Sequence, residues 1–259
     1  MRLIFLGTGT SFGVPQIGCD CVVCRSPDPH DRRTRAGAAV QVGDATVLID
    51  TPPELRLQLI AAGIHGADAV LYTHEHADHT AGIDDLRAFS VRARRALPIY
   101  GPRETLDRLR ASFTYIFDAS VRPYEGTSKP CLDIHAVEPG RPFTAAPGVE
   151  VLPLAFSHGH LRVFGYRIGR LAYITDVKAV PDDVREELRG LDVLVLNALW
   201  WRPHPTHLSI MEAVEAARAI GARQTYLTHL THETSHAELE ARLPSGVLPA
   251  YDGLMVEVA

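Results

Sequence analysis

Four metal-binding side chains fall within six positions in the run His74-Glu75-His76-Ala77-Asp78-His79. Neutral imidazoles combined with a carboxylate form a ligand set suited to zinc, manganese or iron. The run directly follows the apolar stretch Ala69-Val70-Leu71-Tyr72 and precedes a predicted helix start, so it lies on a loop leaving a strand. Such a loop can turn several side chains toward one point. An ordinary solvated loop has no need of an Asp-His pair at that offset.

Further candidates stand at the ends of other apolar runs: His158 after Leu152 to Phe156, Asp176 after Leu171 to Thr175, and His229 after Gln224 to Thr228. Any one of them alone reads equally well as a core or surface residue. Taken together they supply enough ligands for two metals. His160 competes with His158, which is preferred because it follows its strand and Ser157 directly. His207, in Thr206-His207-Leu208-Ser209, stands at a helix start, where a proton donor or a mere capping-region residue would both fit. His204 shares the Trp200-Trp201-Arg202 loop near it, a candidate substrate wall. His30, His65, His135, His204 and His236 read as ordinary surface or core histidines.

Three of the four cysteines, Cys19, Cys21 and Cys24, sit within six positions. Three thiolates and one imidazole make a closed tetrahedral set, the arrangement of a structural zinc, with free or redox-active thiols as the alternative. Cys131, alone in a strand-like segment, is expected to be a small core residue. Two weaker motifs fail on context. Gly7-x-Gly9 has its third glycine misplaced for a dinucleotide loop, and Gly9-Thr10-Ser11-Phe12-Gly13 lacks the strand-to-helix setting of a nucleophile elbow. Both read better as a loop beneath the metal site.

The elements that must carry these residues are legible as patterns. Strands are predicted at Arg2 to Leu6, Ala38 to Val42 and Thr46 to Asp50, then a helix over Pro53 to Ala62, the apolar run Ala67 to Thr73, and a helix from about Ala81. A short strand at Pro98 to Tyr100 and a helix over Pro102 to Phe113 follow. Strands are predicted next at Leu132 to Val137, Val149 to Phe156, Val163 to Ile168 and Leu171 to Thr175. After a helix at Val184 to Leu188 come a strand at Asp192 to Leu196, a helix at Ser209 to Ile220, and strands at Gln224 to Thr228 and Leu254 to Val258. Strands followed by helices occur twice, which predicts an α+β fold: a four-layer αββα sandwich with two facing sheets and helices outside. No linker-like segment divides the chain, so residues 1–259 are expected to form one domain, with a Cys-rich zinc loop at 18–30.

The composition narrows the function classes. A formal charge of −5 argues against a general nucleic-acid binder, which needs an excess of Lys and Arg on its binding face. Leu3 to Leu6 is too short for a signal-peptide core and no 18-residue apolar stretch exists, so a cytoplasmic protein with no membrane partner is expected. Clustered rather than evenly spread cysteines agree with that compartment.

The motif His-x-His-x-Asp-His, followed by a lone His, a lone Asp and a final His, resembles the metallo-β-lactamase superfamily over nearly the whole chain. Within it, Gly13-Val14-Pro15-x-x-Gly18-Cys19-x-Cys21-x-x-Cys24, Thr228-His229-x-x-His232 and Asp252-Gly253-Leu254 are similar to the PhnP-like phosphodiesterases, the phosphoribosyl cyclic phosphate phosphodiesterase-like enzymes. The resemblance implies that His74, His76 and His158 hold one divalent metal (Zn, Mn or Fe), Asp78, His79 and His229 a second, and that Asp176 bridges them. It also implies a structural zinc held by Cys19, Cys21, Cys24 and His232, with His30 as the local competitor for the fourth place. By the same resemblance Asp78 orients a metal-bridging hydroxide that attacks a small, cyclic phosphodiester. His207 protonates the leaving oxygen, and the chain forms a homodimer.

Three rivals share this fold or segment. Enzymes of tRNA 3′ processing have the same metal set, but only 18 positions separate His158 from Asp176, leaving no room for their long RNA-gripping arm. A thioesterase or lactonase is separable by its substrates. A metal-poor binding or carrier protein would have lost ligands, and the intact run from His74 to His79 argues against it.

Overall fold

The computed structural model describes all of residues 1–259. Strands β1 (Arg2–Gly7), β2 (Gly37–Val42), β3 (Ala45–Ile49), β4 (Ala69–Leu71), β5 (Leu97–Gly101) and β6 (Leu132–Ala136) build the first sheet. Strands β7 (Phe143–Ala146), β8 (Val149–His158), β9 (Leu161–Ile168), β10 (Leu171–Ile174), β11 (Val193–Asn197), β12 (Gln224–Thr228) and β13 (Val247–Pro249) build the second. The chain then returns to the first sheet as β14 (Met255–Glu257). The orders are β14-β1-β2-β3-β4-β5-β6 and β13-β12-β11-β10-β9-β8-β7. β3 to β6 run parallel in one sheet and β10 to β13 in the other. Each sheet thus presents a set of strand C-termini.

Alternation along the strands explains the layering, because successive side chains leave a strand on opposite faces. Leu3, Phe5, Val40, Val47 and Ile49 of the first sheet meet Val151, Phe164, Tyr166, Tyr173 and Val195 of the second between the sheets. Their neighbours in sequence, Ile4, Leu48 and Val70, face outward and are covered by Leu55 and Leu59 of α1 (Leu55–Ala61). The runs near β4 and β5 give three further helices, α2 (Ala77–Thr80), α3 (Arg87–Ala93) and α4 (Arg103–Ser112), and then α5 (Thr114–Phe117). The second sheet follows the same logic. After the short α6 (Asp182–Glu187), Val214 and Ile220 of α7 (Ile210–Ile220) and Leu239 of α8 (His236–Arg242) cover Leu194, Leu196 and Leu227. This is the predicted αββα sandwich.

α7 carries its own boundaries. Ser209 accepts from the Glu212 backbone N–H at 3.3 Å while the Glu212 carboxylate accepts from the Ser209 N–H at 2.8 Å, a capping box. Gly221, at φ 72°, ends the helix in the left-handed conformation that glycine adopts without penalty.

Some elements depart from expectation. The helix expected from about Ala81 begins at Ala77 and breaks, with a 3-10 segment over Ala81–Leu86 before α3. Backbone bonds from Thr51 N to His79 O (2.8 Å) and from Gly82 N to Thr51 O (2.9 Å) pull the chain out of α-helical register. At Gly82 a Cβ would meet the Pro52 carbonyl oxygen at 2.2 Å, so only glycine allows this approach. β7, β13, α5 and α8 were not predicted: β7 and β13 are too short to show a period, and α8 has a single buried aliphatic residue, Leu239. Cys131 is exposed, not a core residue, because it precedes β6 at the sheet edge. No helix is long and apolar enough to cross a membrane.

Candidate active site

The strand ends of both sheets open on one edge of the sandwich. Phe164 N donates to Thr73 O at 2.9 Å and the Tyr166 hydroxyl to Tyr72 O at 2.5 Å, which stitches the sheets together there. His74 and His76 lie on the loop after β4, and Asp78 and His79 occupy the first turn of α2. His158 is the last residue of β8, while Asp176 and His229 lie just beyond β10 and β12.

The structure brings these seven residues together. The ligand atoms of His74, His76 and His158 lie within 4.8 Å of one another, as do those of Asp78, His79 and His229, and those of His74, His79 and Asp176. Asp176 sits between the groups, its oxygens 3.3 Å from His79 Nε2 and 3.1 Å from His229 Nε2. Exposed His160 is not in the cluster; it lies in the turn between β8 and β9.

Backbone geometry singles out the same place. Of the four non-glycine residues with positive φ, Asp50 (63°), Asp176 (58°) and His229 (57°) all border this edge, and Arg94 ends α3. A left-handed conformation is unfavourable for a residue with a Cβ, so three such residues at one edge mark strain kept for a purpose.

Asp50 is the site residue that sequence reasoning missed. Fully buried, it accepts from His79 Nδ1 at 2.7 Å and from the Thr73 backbone N–H and hydroxyl, each at 2.8 Å. These bonds fix the His79 ring with Nε2 directed to Asp78 and Asp176. Asp50 closes the predicted strand Thr46 to Asp50, so the strand-end argument that found Asp176 and His229 extends to it.

Electrostatics couple the cluster. Burial by itself would raise Asp176 and Asp78, yet the neighbouring imidazoles, His229 and His79 for Asp176 and chiefly His79 for Asp78, hold both well below the usual carboxylate range. Burial pushes the His229 imidazole down to about 4 and lowers His74 and His158, which favours the neutral, ligand form. Against the cost of burial, Asp176, Asp78 and Asp50 raise His79 well above its usual value.

The donor set fits divalent metals. His79 Nε2, His229 Nδ1 and His229 Nε2 are buried with no hydrogen-bond partner, which a native interior rarely tolerates without an ion or water. The Nε2 atoms of both rings face the carboxylates, the positions from which they could bind a cation.

Cys19, Cys21, Cys24 and His232 form a second cluster. His232 Nδ1 lies 3.4 Å from Cys19 Sγ and 3.3 Å from Cys21 Sγ, close to the roughly 3.5 Å edge that zinc bond lengths imply for a tetrahedron. The Cys24 backbone N–H and the His232 ring hold the Cys21 thiol at about 6, whereas burial pushes Cys24 up to about 11. His30 packs instead against Tyr251 and His236, at 4.2 and 4.8 Å between ring centroids.

His207 reaches the first cluster as well, its Nε2 lying 2.9 Å from Asp176 Oδ1. His204 touches it, with the two Nδ1 atoms 3.2 Å apart.

Known proteins share this architecture. Residues 45–230 match the Beta-lactamase superfamily domain. A crystal structure of a diphosphatase from the PhnP family superposes with a TM-score of 0.90 at 41% identity, covering 99% of this chain and 97% of that one. A Porphyromonas gingivalis protein named octanoyltransferase is 42% identical over 258 residues, 98% of this chain but 51% of that protein, so the chain spans about half its length. Coenzyme PQQ synthesis protein B of a Methylobacterium species is 30% identical over 225 residues, 76% of this chain and 72% of that protein. Human tRNase Z, short form, shares the fold over the full length of both chains, with a TM-score of 0.71 and 18% identity. The chain therefore belongs to the β-lactamase superfamily and, within it, to the PhnP family.

Proposed function

We propose that this chain hydrolyses a small phosphoric diester, a cyclic one in particular, with two divalent metal ions held at the shared edge of the sheets. The observation that carries the reading is the convergence of five imidazoles and two carboxylates from four separate segments, with buried ring nitrogens left unpartnered. His74, His76 and His158 would hold one ion (zinc, manganese or iron), Asp78, His79 and His229 the other, and Asp176 both. Such ions supply Lewis acidity and a water acidic enough to ionise near neutral pH.

The side chains do the rest. Asp78, kept ionised by His79, accepts a hydrogen bond from the attacking water and aims it at phosphorus in line with the leaving oxygen. Asp50 fixes the His79 ring through its Nδ1. His207 Nε2, which would be freed from Asp176 when that carboxylate holds the metals, donates a proton to the departing alkoxide, leaving a phosphate monoester and an alcohol. A cyclic substrate suits the site because its leaving oxygen stays tethered beside His207. Cys19, Cys21, Cys24 and His232 would hold a structural zinc. The enzyme would act in the cytoplasm on small molecules, as a homodimer, with neither long nucleic acid nor membrane as partner. Between His158 and Asp176 there are only β9, β10 and their turns, with no inserted arm.

A second reading, cleavage of a diphosphate linkage, is favoured by the 41% identical diphosphatase. The relative named octanoyltransferase makes an octanoyl thioester a necessary control. The experiment is a panel of ribose, glycerol and nucleoside cyclic phosphates, diphosphate-linked nucleotides and an octanoyl thioester, assayed with manganese, zinc and iron. Preferred turnover of a cyclic phosphate is expected, and turnover of the thioester alone would overturn the reading. Metal analysis should find about three ions per chain, whereas about one would point to a binding or carrier protein.

A further inference from the structure

The segment presenting His207 is held from outside by residues that no catalytic role explains. Between β11 and α7 the chain makes a loop closed at its base by Leu199 N to Leu208 O (2.9 Å) and Leu208 N to Val177 O (2.8 Å). Its outer part is gripped by the run that follows His232. Trp201 Nε1 donates to Thr234 Oγ1 at 2.9 Å, and the Arg202 guanidinium forks onto the two Glu233 oxygens at 2.7 and 2.8 Å. The same guanidinium lies 3.7 Å over the Trp200 ring, whose edge meets His204, and His204 in turn touches His207. A continuous path of contacts thus joins the thiol cluster to the proposed proton donor.

Stability does not account for the Arg202–Glu233 part of this grip. Arg202 is 59% exposed, and exposed ion pairs add little to folding. A two-pronged guanidinium–carboxylate contact, by contrast, imposes orientation. Orientation is what a proton donor needs, since displacement by about 1 Å costs up to roughly a hundredfold in rate.

We propose that Glu233 and Thr234 are positioning residues for His207. By holding Arg202 and Trp201 they set the loop that presents its imidazole, and they are themselves anchored by His232, so zinc in the thiol cluster stiffens the grip. The proposal rests on the reading of His207 as proton donor, and its experiment separates the two.

Trp200 and Trp201 are the only two tryptophans, so tryptophan emission, excited at the red edge where the eight tyrosines do not absorb, reports on this loop alone. In the metal-loaded protein, Glu233→Gln and Thr234→Val should shift the emission to the red and increase acrylamide quenching. Thr234→Ser, which keeps the hydroxyl, should behave as wild type. The same two variants should lower the ratio of alkyl to p-nitrophenyl leaving-group rates roughly tenfold, a smaller loss than that of His207→Ala. Cys21→Ser, or removal of the thiol-bound zinc, should reproduce the emission change without any activity measurement.

Unchanged emission in Glu233→Gln and Thr234→Val would overturn the proposal. So would an emission shift that leaves the leaving-group ratio intact while His207→Ala alters it. Wild-type emission in Cys21→Ser would remove the part assigned to the thiol cluster. If His207→Ala itself leaves the ratio unchanged, the proton-donor reading has failed, and loop positioning is then decided by emission and quenching alone.

Discussion

Asp78 and Asp50 show how two carboxylates 28 positions apart divide one task. Asp78 is partly open and held ionised by its imidazole neighbours, so it can accept from a water. Replacing it in Asp78→Ala should abolish turnover of bis(p-nitrophenyl) phosphate with an unchanged circular dichroism spectrum; retained activity would contradict its role. Asp50 is sealed in and spends all its bonds on His79 and Thr73. In Asp50→Asn the amide nitrogen must face one of those donors, so the His79 ring loses its fixed direction. Loss of such an outer partner should weaken metal binding by about 10- to 100-fold, measured by competition with a chelating dye. Unaltered affinity would show that His79 needs no such support.

At the scale of elements, the motif from His74 to His79 does not owe its shape to local helix propensity. α2 has four residues, far below the length at which a helix persists alone. Its conformation is imposed by the bonds between Thr51 and the backbone of His79 and Gly82. The loop before Cys24 is likewise irregular and depends on what ties it down. Cys21→Ser should therefore reduce zinc content by about one ion per chain and lower the melting temperature, while the remaining metals stay bound. Calorimetry together with elemental analysis tests this: an unchanged melting temperature and stoichiometry would count against a structural zinc.

Across the whole molecule, burial of imidazoles sets the response to pH. His74, His158, His229 and His236 are all lowered, chiefly by burial, and His79 opposes them because its carboxylate neighbours raise it. For a histidine lowered to about 4, the unfolded chain binds more protons than the folded one between its ordinary value of 6.5 and about 4. Stability therefore rises with pH through that window and is lost as pH falls through it. With metals removed, the melting temperature should drop by about 5–10 °C between pH 7 and 4.5. A flat profile over that range would mean that these rings titrate normally and are not buried as described.

The sequence by itself determined the sandwich and most of the site, because both depend on short-range pattern. Alternating apolar residues fall on the two faces of a strand, and a polar residue directly after such a run must emerge at a sheet edge, as His158, Asp176 and His229 do. The cysteine spacing and the run from His74 to His79 were equally local. Tertiary structure alone decided what depends on residues distant in the chain. It placed His158 rather than His160 in the cluster, set His232 rather than His30 beside the thiols, and left Cys131 at an exposed edge. It also gave Asp50 its part, since a carboxylate ending a strand looks like any other until His79 and Thr73 fold over it. Short elements such as β7 and α8 carry too few apolar residues for a period to show. Their positions come from the surface they cover, which exists only once both sheets have met.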